Sequence, residues 1–220
     1  MSSYIGPLAS FTAGAAAPTI QRRLRKMSTY PREPRVFSQA KIFLPVGGIG
    51  VFLLGLTVIA LATSDEASRP DDATLGIIFC SIAIIPCLWF LWMGLARRFG
   101  VDNEKVWSRF APVFYREIYF SDITRITFDN LGFRLYNRQN KFLGVAINRF
   151  DYTLAYLRIL EELKYRRFTV GDVAPRDPRW PQAAQELRNA LASEAYRNHQ
   201  NYYDNHPAEL HELTALAQGR

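Results

Sequence analysis

IFLPVGGIGVFLLGLTVIALAT, residues 42–63, and TLGIIFCSIAIIPCLWFLWMGLA, residues 74–96, contain no charged side chain. At 22 and 23 residues, helices over these stretches would run about 33 and 35 Å, against a hydrocarbon core of about 30 Å. Backbone in lipid must satisfy its own hydrogen bonds, so two stretches separated by residues 64–73 read as a helical hairpin that spans a membrane. The rival reading is a pair of buried core helices in a soluble protein. Pro45 falls in the opening turn of the first span, where its missing donor costs little. Gly47, Gly48, Gly50 and Gly55 allow close backbone approach, and Gly76, Cys80, Ala83 and Cys87 make a small-residue face that can receive the first helix. Pro86, central in the second span, is expected to kink the helix or loosen one turn. Nothing ionisable lies at mid-depth, which argues against an ion or proton path.

Charge sets the orientation. Ahead of the first span stand Arg22, Arg23, Arg25, Lys26, Arg32, Arg35 and Lys41 against the single acid Glu33. The connector carries Asp65, Glu66, Asp71 and Asp72 against Arg69, and Arg97 and Arg98 follow the second span directly. The lysine and arginine bias therefore puts both termini in the cytoplasm, as in a multi-pass protein of the inner (cytoplasmic) cell membrane. Trp89, Trp92, Arg97 and Arg98 are candidate interface anchors, although plain packing explains the two tryptophans nearly as well. The net charge of +7 is then partly a topology signal, and it also favours anionic lipid by about 1 kcal/mol per nearby cation. Nucleic acid explains it less well, because the cations are split between segments and no base-reading motif accompanies them.

The two cysteines, Cys80 and Cys87, lie seven residues apart inside the second span. That places them about 10 Å apart on one helical face, too far to bridge, and both read as small packing residues. The first apolar run is too long for an ordinary signal peptide. The acid-poor first 32 residues leave a second possibility open, an organellar transit segment.

From Arg97 onward the pattern becomes short strands. Residues 98–101 and 105–110 flank the compact turn Asp102-Asn103-Glu104, and residues 113–120 carry aromatic and β-branched residues suited to a third strand. Ile126 and Phe128 alternate with Arg125, Thr127 and Asp129, the signature of a half-buried strand. After Asn130-Leu131-Gly132 the apolar face continues through Phe133 and Leu135. After Arg138-Gln139-Asn140 it continues through Leu143, Val145 and Ile147. An amphipathic helix is expected over residues 148–167, capped by Asn148, with Asp151 favouring its positive end. Its stripe of Phe150, Leu154, Leu157, Leu160 and Leu163 must cover something, and the open end of the sheet is the nearest object.

A run of antiparallel strands closed by one helix resembles the pleckstrin-homology-like (PH-like) fold of small bacterial membrane-attached proteins. The resemblance covers residues 97–167 and rests on strand order, on Phe120-Ser121-Asp122-Ile123 leading into the Ile126 strand, and on the closing helix. It implies a binding or scaffolding platform without catalysis. Six strands are counted where the full family has seven. The first hairpin turn, where inositide-binding members carry basic residues, here reads Asp102-Asn103-Glu104-Lys105, so inositide binding is not carried over.

Beyond residue 167, Pro175, Pro178 and Pro181 suggest a linker or strap. Pro181 can open a helix with a line of Ala184, Leu187, Leu191 and Ala195; Pro207 can open another with Leu210, Leu213 and Leu216. Such thin stripes suit docking on another helix or a partner better than forming a core, with marginal, partly frayed helices as the other reading.

Little chemistry is legible. His199, His206 and His211 share the tail with Asp204, Glu209 and Glu212, but their spacings do not put them on one helical face, so no metal site is expected. No nucleotide, hydrolase or metalloprotease motif occurs. An acid–base pair would need two carboxylates such as Asp122 and Asp129 in one pocket. Arg134, Arg138, Lys141 and Arg149 surround the last strands, as a solvated sheet face or as a patch for anionic lipid or a partner.

The chain thus reads as an α+β membrane protein. A basic, mostly disordered leader (1–40) precedes a transmembrane hairpin (41–96), a PH-like domain (97–167), and a linker with a helical tail (168–220). The expected role is non-catalytic interaction or scaffolding, with membrane lipids and protein partners, no nucleic acid, no small-molecule substrate and no cofactor. The alternative is a mitochondrial-type inner-membrane assembly factor with a cleaved N-terminal transit segment.

Overall fold

A computed structural model describes residues 30–63, 70–129, 132–145 and 150–220. The basic cluster at 22–26, the acidic bend at 64–69, Ile147, Asn148 and Arg149 lie outside the described residues. The chain divides into two compact units. One is Ser38–Arg98 with Arg109–Phe114; the other combines Phe99–Ser108, Tyr115–Arg220 and the described part of Met1–Phe37.

The first unit is built on helices α1 (Ala40–Thr63) and α2 (Pro70–Ala96). They pack together through glycine. A Cβ added at Gly47 would sit 2.7 Å from the Cys87 carbonyl oxygen and 2.9 Å from the Leu91 nitrogen. One added at Gly50 would sit 2.6 Å from Cys87 Sγ. Backbone cannot yield as a side-chain tip can, so the approach at Gly47 depends on the missing side chain. In the same stretch of α2, Phe43 stacks on Phe90 with ring centroids 5.7 Å apart. The helical backbone of α2 continues through Pro86. Both helices are long and apolar enough to cross a membrane, and only 6% of each apolar window is buried. Phe52, Ile59, Phe79 and Ile85 are among the side chains that point outward. A core helix in a soluble protein would bury such residues.

In the second unit two sheets enclose the core. Strands β1 (Arg35–Ser38), β2 (Arg97–Val101), β3 (Lys105–Phe110) and β4 (Phe114–Tyr119) lie side by side in that order. After a single 3-10 turn at Phe120–Asp122 come β5 (Ile123–Asp129), β6 (Gly132–Asn137) and β7 (Phe142–Val145), paired antiparallel. The two-residue β8 (Thr169–Val170) joins the other edge of β5 in parallel. Alternation places Phe133, Leu135, Leu143 and Val145 inward, and the unit's core also holds Val106, Ile118, Phe120, Ile123 and Ile126.

Helix α3 (Thr153–Tyr165) begins five residues later than the expected start at Asn148. Asp151 explains where it begins: its Oδ1 accepts the Thr153 N–H at 3.2 Å and the Thr153 hydroxyl at 2.7 Å, fixing the first turn. Leu154, Ala155, Tyr156, Leu157, Ile159, Leu160 and Leu163 are all buried, more of the circumference than one sheet face covers.

Two further expectations give way here. The residues expected to form a linker and tail are packed into this unit. Helices α4 (Trp180–Asn198), α5 (Gln200–Asn205) and α6 (Pro207–Ala217) follow one another, with α4 and α6 packed against α3. The thin line Ala184, Leu187, Leu191 and Ala195 is fully covered, and Leu213 and Leu216 are buried as well. Trp180 Nε1 donates to the Phe168 carbonyl at 2.8 Å, Arg188 donates to the Leu163 carbonyl at 3.0 Å, and Gln185 donates to the Ala217 carbonyl at 2.8 Å. A small-residue stripe lets α4 lie close, which makes it a seat for the helix stripe that the sheets leave bare.

Residues 30–38, expected in a disordered leader, are also structured. Phe37 is 5% exposed, stacked on Phe150 at 5.0 Å and edge-on to Tyr152 at 5.2 Å. Arg32 bridges Glu161 of α3 and Glu212 of α6, each at 2.6 Å, and Tyr30 meets Tyr202 edge-on at 5.9 Å.

Candidate functional site

Two places in the domain gather polar groups. The first is an open cleft of about 680 Å³ between β4 and the β6–β7 turn, lined by Tyr115–Tyr119, Asp122, Asn137 and residues 139–142. The turn that forms its wall is tightly held. Asn137 Oδ1 accepts the backbone N–H groups of Gln139 and Lys141, both at 3.0 Å, while Asn140 takes the left-handed conformation with φ of 57°. Lys141 is thereby presented on a fixed backbone.

The cleft's lining is balanced, with Arg116 and Lys141 against Glu117 and Asp122, and Lys105, Arg134 and Arg138 around it add a cationic surplus. Glu117 is engaged by Lys105 at 2.7 Å and by the Tyr115 hydroxyl at 2.8 Å. Those two hydrogen bonds hold its carboxyl below the usual range, against a smaller opposing effect of burial. Asp122 faces Arg138 at 3.7 Å. Phe142, at the rim, has the guanidinium of Arg116 from β4 at 5.7 Å and that of Arg134 from β6 at 5.5 Å from its ring centre. Farther along the outer face, Arg125 lies 4.0 Å from the centre of the Tyr136 ring. Stacking of this kind fixes the direction of each guanidinium at about 0.5–1 kcal/mol per exposed pair.

Of the four residues expected to form a basic patch, Lys141 lines the cleft, Arg134 reaches its rim through Phe142, and Arg138 is tied to a lining carboxylate. Arg149 lies outside the described residues. Sequence reading missed Arg116, whose contribution comes from the other sheet. Asp122 and Asp129 stand just before and at the end of β5, about 20 Å apart along an extended strand. That separation of the two backbone positions argues against an acid–base pair between them.

The second place is buried. Asp151 is 3% exposed and His199 4%; His199 Nε2 lies 3.1 Å from Asp151 Oδ2, and Arg35 approaches the same oxygen at 3.6 Å. Asn198 Nδ2 donates to the Thr153 hydroxyl at 3.1 Å. Burial pushes the Asp151 carboxyl up, but hydrogen bonds from His199 and Thr153 outweigh it and leave it below the usual range. An ionised carboxylate only accepts, so His199 Nε2 carries the proton. Closed from solvent, the cluster joins four segments: the strand before α1, the start of α3, and the consecutive α4 and α5.

The other histidines are apart from it. His206 stacks on Tyr202 at 4.2 Å, and His211 is exposed. Among the described residues no group of three His, Cys, Asp or Glu side chains is placed to hold a metal ion. Of the expected interface anchors, Trp89 and Trp92 are partly exposed and meet edge-on at 5.5 Å. Arg98 is turned inward, donating to Ser38 Oγ at 2.9 Å and to the Gly94 carbonyl at 3.0 Å, and Arg97 is half-buried.

No family model matches the chain, and neither a curated protein nor a solved structure does.

Proposed function

We propose that the chain is a non-catalytic membrane protein whose α1–α2 hairpin holds a PH-like interaction domain at the cytoplasmic face of an inner membrane. The observation that carries this reading is the pairing of β1 with β2. The strand that ends at Ser38, just before α1, and the strand that begins at Arg97, just after α2, are neighbours in one sheet. Two spans return the chain to the side it left, so one folded domain can be completed from both flanks of the hairpin. The lysine and arginine bias makes that side cytoplasmic.

The strand count supports the PH-like part. The seventh strand, missing from residues 97–167, is β1, so β1–β4 and β5–β7 make groups of four and three before the closing helix α3. The hairpin then occupies the connection between the first and second strands. The cleft is the binding face, and its cations and guanidinium-bearing rim suit protein partners that present carboxylates or phosphates, with anionic lipid as a competitor. The ion pairs of Arg32 favour an intact N-terminal flank over the trimmed organellar factor, which would lose Tyr30 and Arg32 together with about the first 32 residues.

A photo-crosslinking residue at Gln139, in intact membranes, tests the binding face. Discrete adducts are expected, falling roughly tenfold (about 1.4 kcal/mol) in an Arg116→Glu, Lys141→Glu double variant. Absence of adducts, or adducts indifferent to the charge reversals, contradicts the reading.

A further inference from the structure

Residues Arg109–Phe114, the tip of the β3–β4 hairpin, belong to the helical unit and not to the domain from which they extend. The Ala111 N–H donates to the Ala96 carbonyl at 3.4 Å, at the last residue of α2. Phe110 is buried, its ring 5.4 Å from that of Trp92 and 6.0 Å from that of Trp89. Phe114 continues this aromatic group, 5.8 Å from Phe110. Beyond it the tip is apolar and open: Val113 is 59% exposed and Phe114 39%, with Pro112 exposed between Ala111 and Val113.

The depth follows from the helix. A span of 23 residues is about 35 Å long in a hydrocarbon core of about 30 Å, so each end projects by about 2–3 Å. Trp92 and Trp89, four and seven residues before Ala96, then lie about 3 and 8 Å inside the core boundary. Phe110 contacts both. The tip therefore reaches the level where the hydrocarbon meets the headgroups, a place suited to aromatic side chains and to an exposed arginine such as Arg109 at the water side.

We infer that the β3–β4 tip is a third membrane element, seated in the interfacial layer of the bilayer that holds α1 and α2. The inference rests on the membrane reading of the two helices. Continuity of the exposed Val113 and Phe114 with the tryptophan-bearing face of α2 names lipid as the occupant, in place of a second copy or another protein.

The test uses the full chain with Cys80→Ser and Cys87→Ser, reconstituted in vesicles of zwitterionic and anionic phospholipid. An environment-sensitive fluorophore is placed on Val113→Cys or, as a second site, Pro112→Cys. Leu56→Cys, outward-facing in α1, serves as the reference. The tip probe should emit to the blue of an aqueous probe and be quenched more by nitroxide at acyl position 5 than at position 12; the Leu56 probe should show the reverse preference. An aqueous tip probe beside a lipid-quenched Leu56 probe overturns the inference and leaves the hairpin standing. A blue-shifted tip probe that lipid nitroxide does not quench is covered by protein, and this also overturns it. A Leu56 probe that no lipid quenches removes the membrane reading and the inference together.

Discussion

Phe37→Ala is expected to destabilise the domain by about 3–4 kcal/mol, although Phe37 lies before the first apolar helix and 60 residues from the next strand of its sheet. Its ring is buried on Phe150 and Tyr152, beside the start of α3, and truncation leaves a cavity that two aromatic rings and a short strand cannot close. Denaturant unfolding of the detergent-solubilised protein, followed by near-ultraviolet circular dichroism, reads the loss. By contrast Arg32→Ala, at a partly exposed ion pair, should cost at most about 1 kcal/mol. If Phe37→Ala were as mild as Arg32→Ala, β1 would be a passing contact and not a strand of the domain.

Asp151→Ala is expected to cost about 3 kcal/mol or more, since it strips a buried His199 and the Thr153 hydroxyl of their acceptor and weakens the hold on Arg35. The pH dependence carries a sign. The folded-state pKa of Asp151 is depressed, so its contribution is complete above the ordinary aspartate value of about 4 and fades as pH falls through the lower folded value. The stability gap between the natural protein and Asp151→Asn should narrow as pH falls below about 4. A gap that does not narrow as pH falls from 4 to 2 would contradict an ionised Asp151 held by its neighbours.

Much of the fold is legible in the chain, because its apolar residues repeat with the period of the element they build. Residues 105–110 alternate and form β3; Leu187, Leu191 and Ala195 recur at helical spacing and are buried on α4. The missed element with the largest consequence is β1; the two-residue β8 and the short α5 are also absent from the sequence pattern. Arg-Val-Phe-Ser is too short to show alternation, follows a proline, and abuts a helix whose apolar signal dominates any window. Its partner strand is also separated from it by the whole hairpin. The tail is half legible for a related reason: its thin stripes point to docking on another helix, which α3 provides, but they do not show that α4 and α6 complete the core by covering the broad stripe of α3.

The candidate site was only half legible. Arg134, Arg138 and Lys141 cluster in sequence, and the β6–β7 turn keeps them together. Arg116 joins them across a gap between two sheets, and nothing in a one-dimensional pattern encodes that approach. The Asp151–His199 pair was hidden similarly: 48 residues separate the partners, and Asp151 at a helix start already had a sufficient local explanation.

The claim beneath all of this is that the oily hairpin is threaded through lipid from within a single sheet. Single cysteines at Ser68, in the bend, and at Asn140, in the cleft turn, can be challenged with an impermeant maleimide in sealed inverted and right-side-out vesicles. Ser68→Cys should react only from the outer face and Asn140→Cys only from the cytoplasmic face. Reaction of both from the same side, or release of the protein by alkaline carbonate without detergent, would contradict the account.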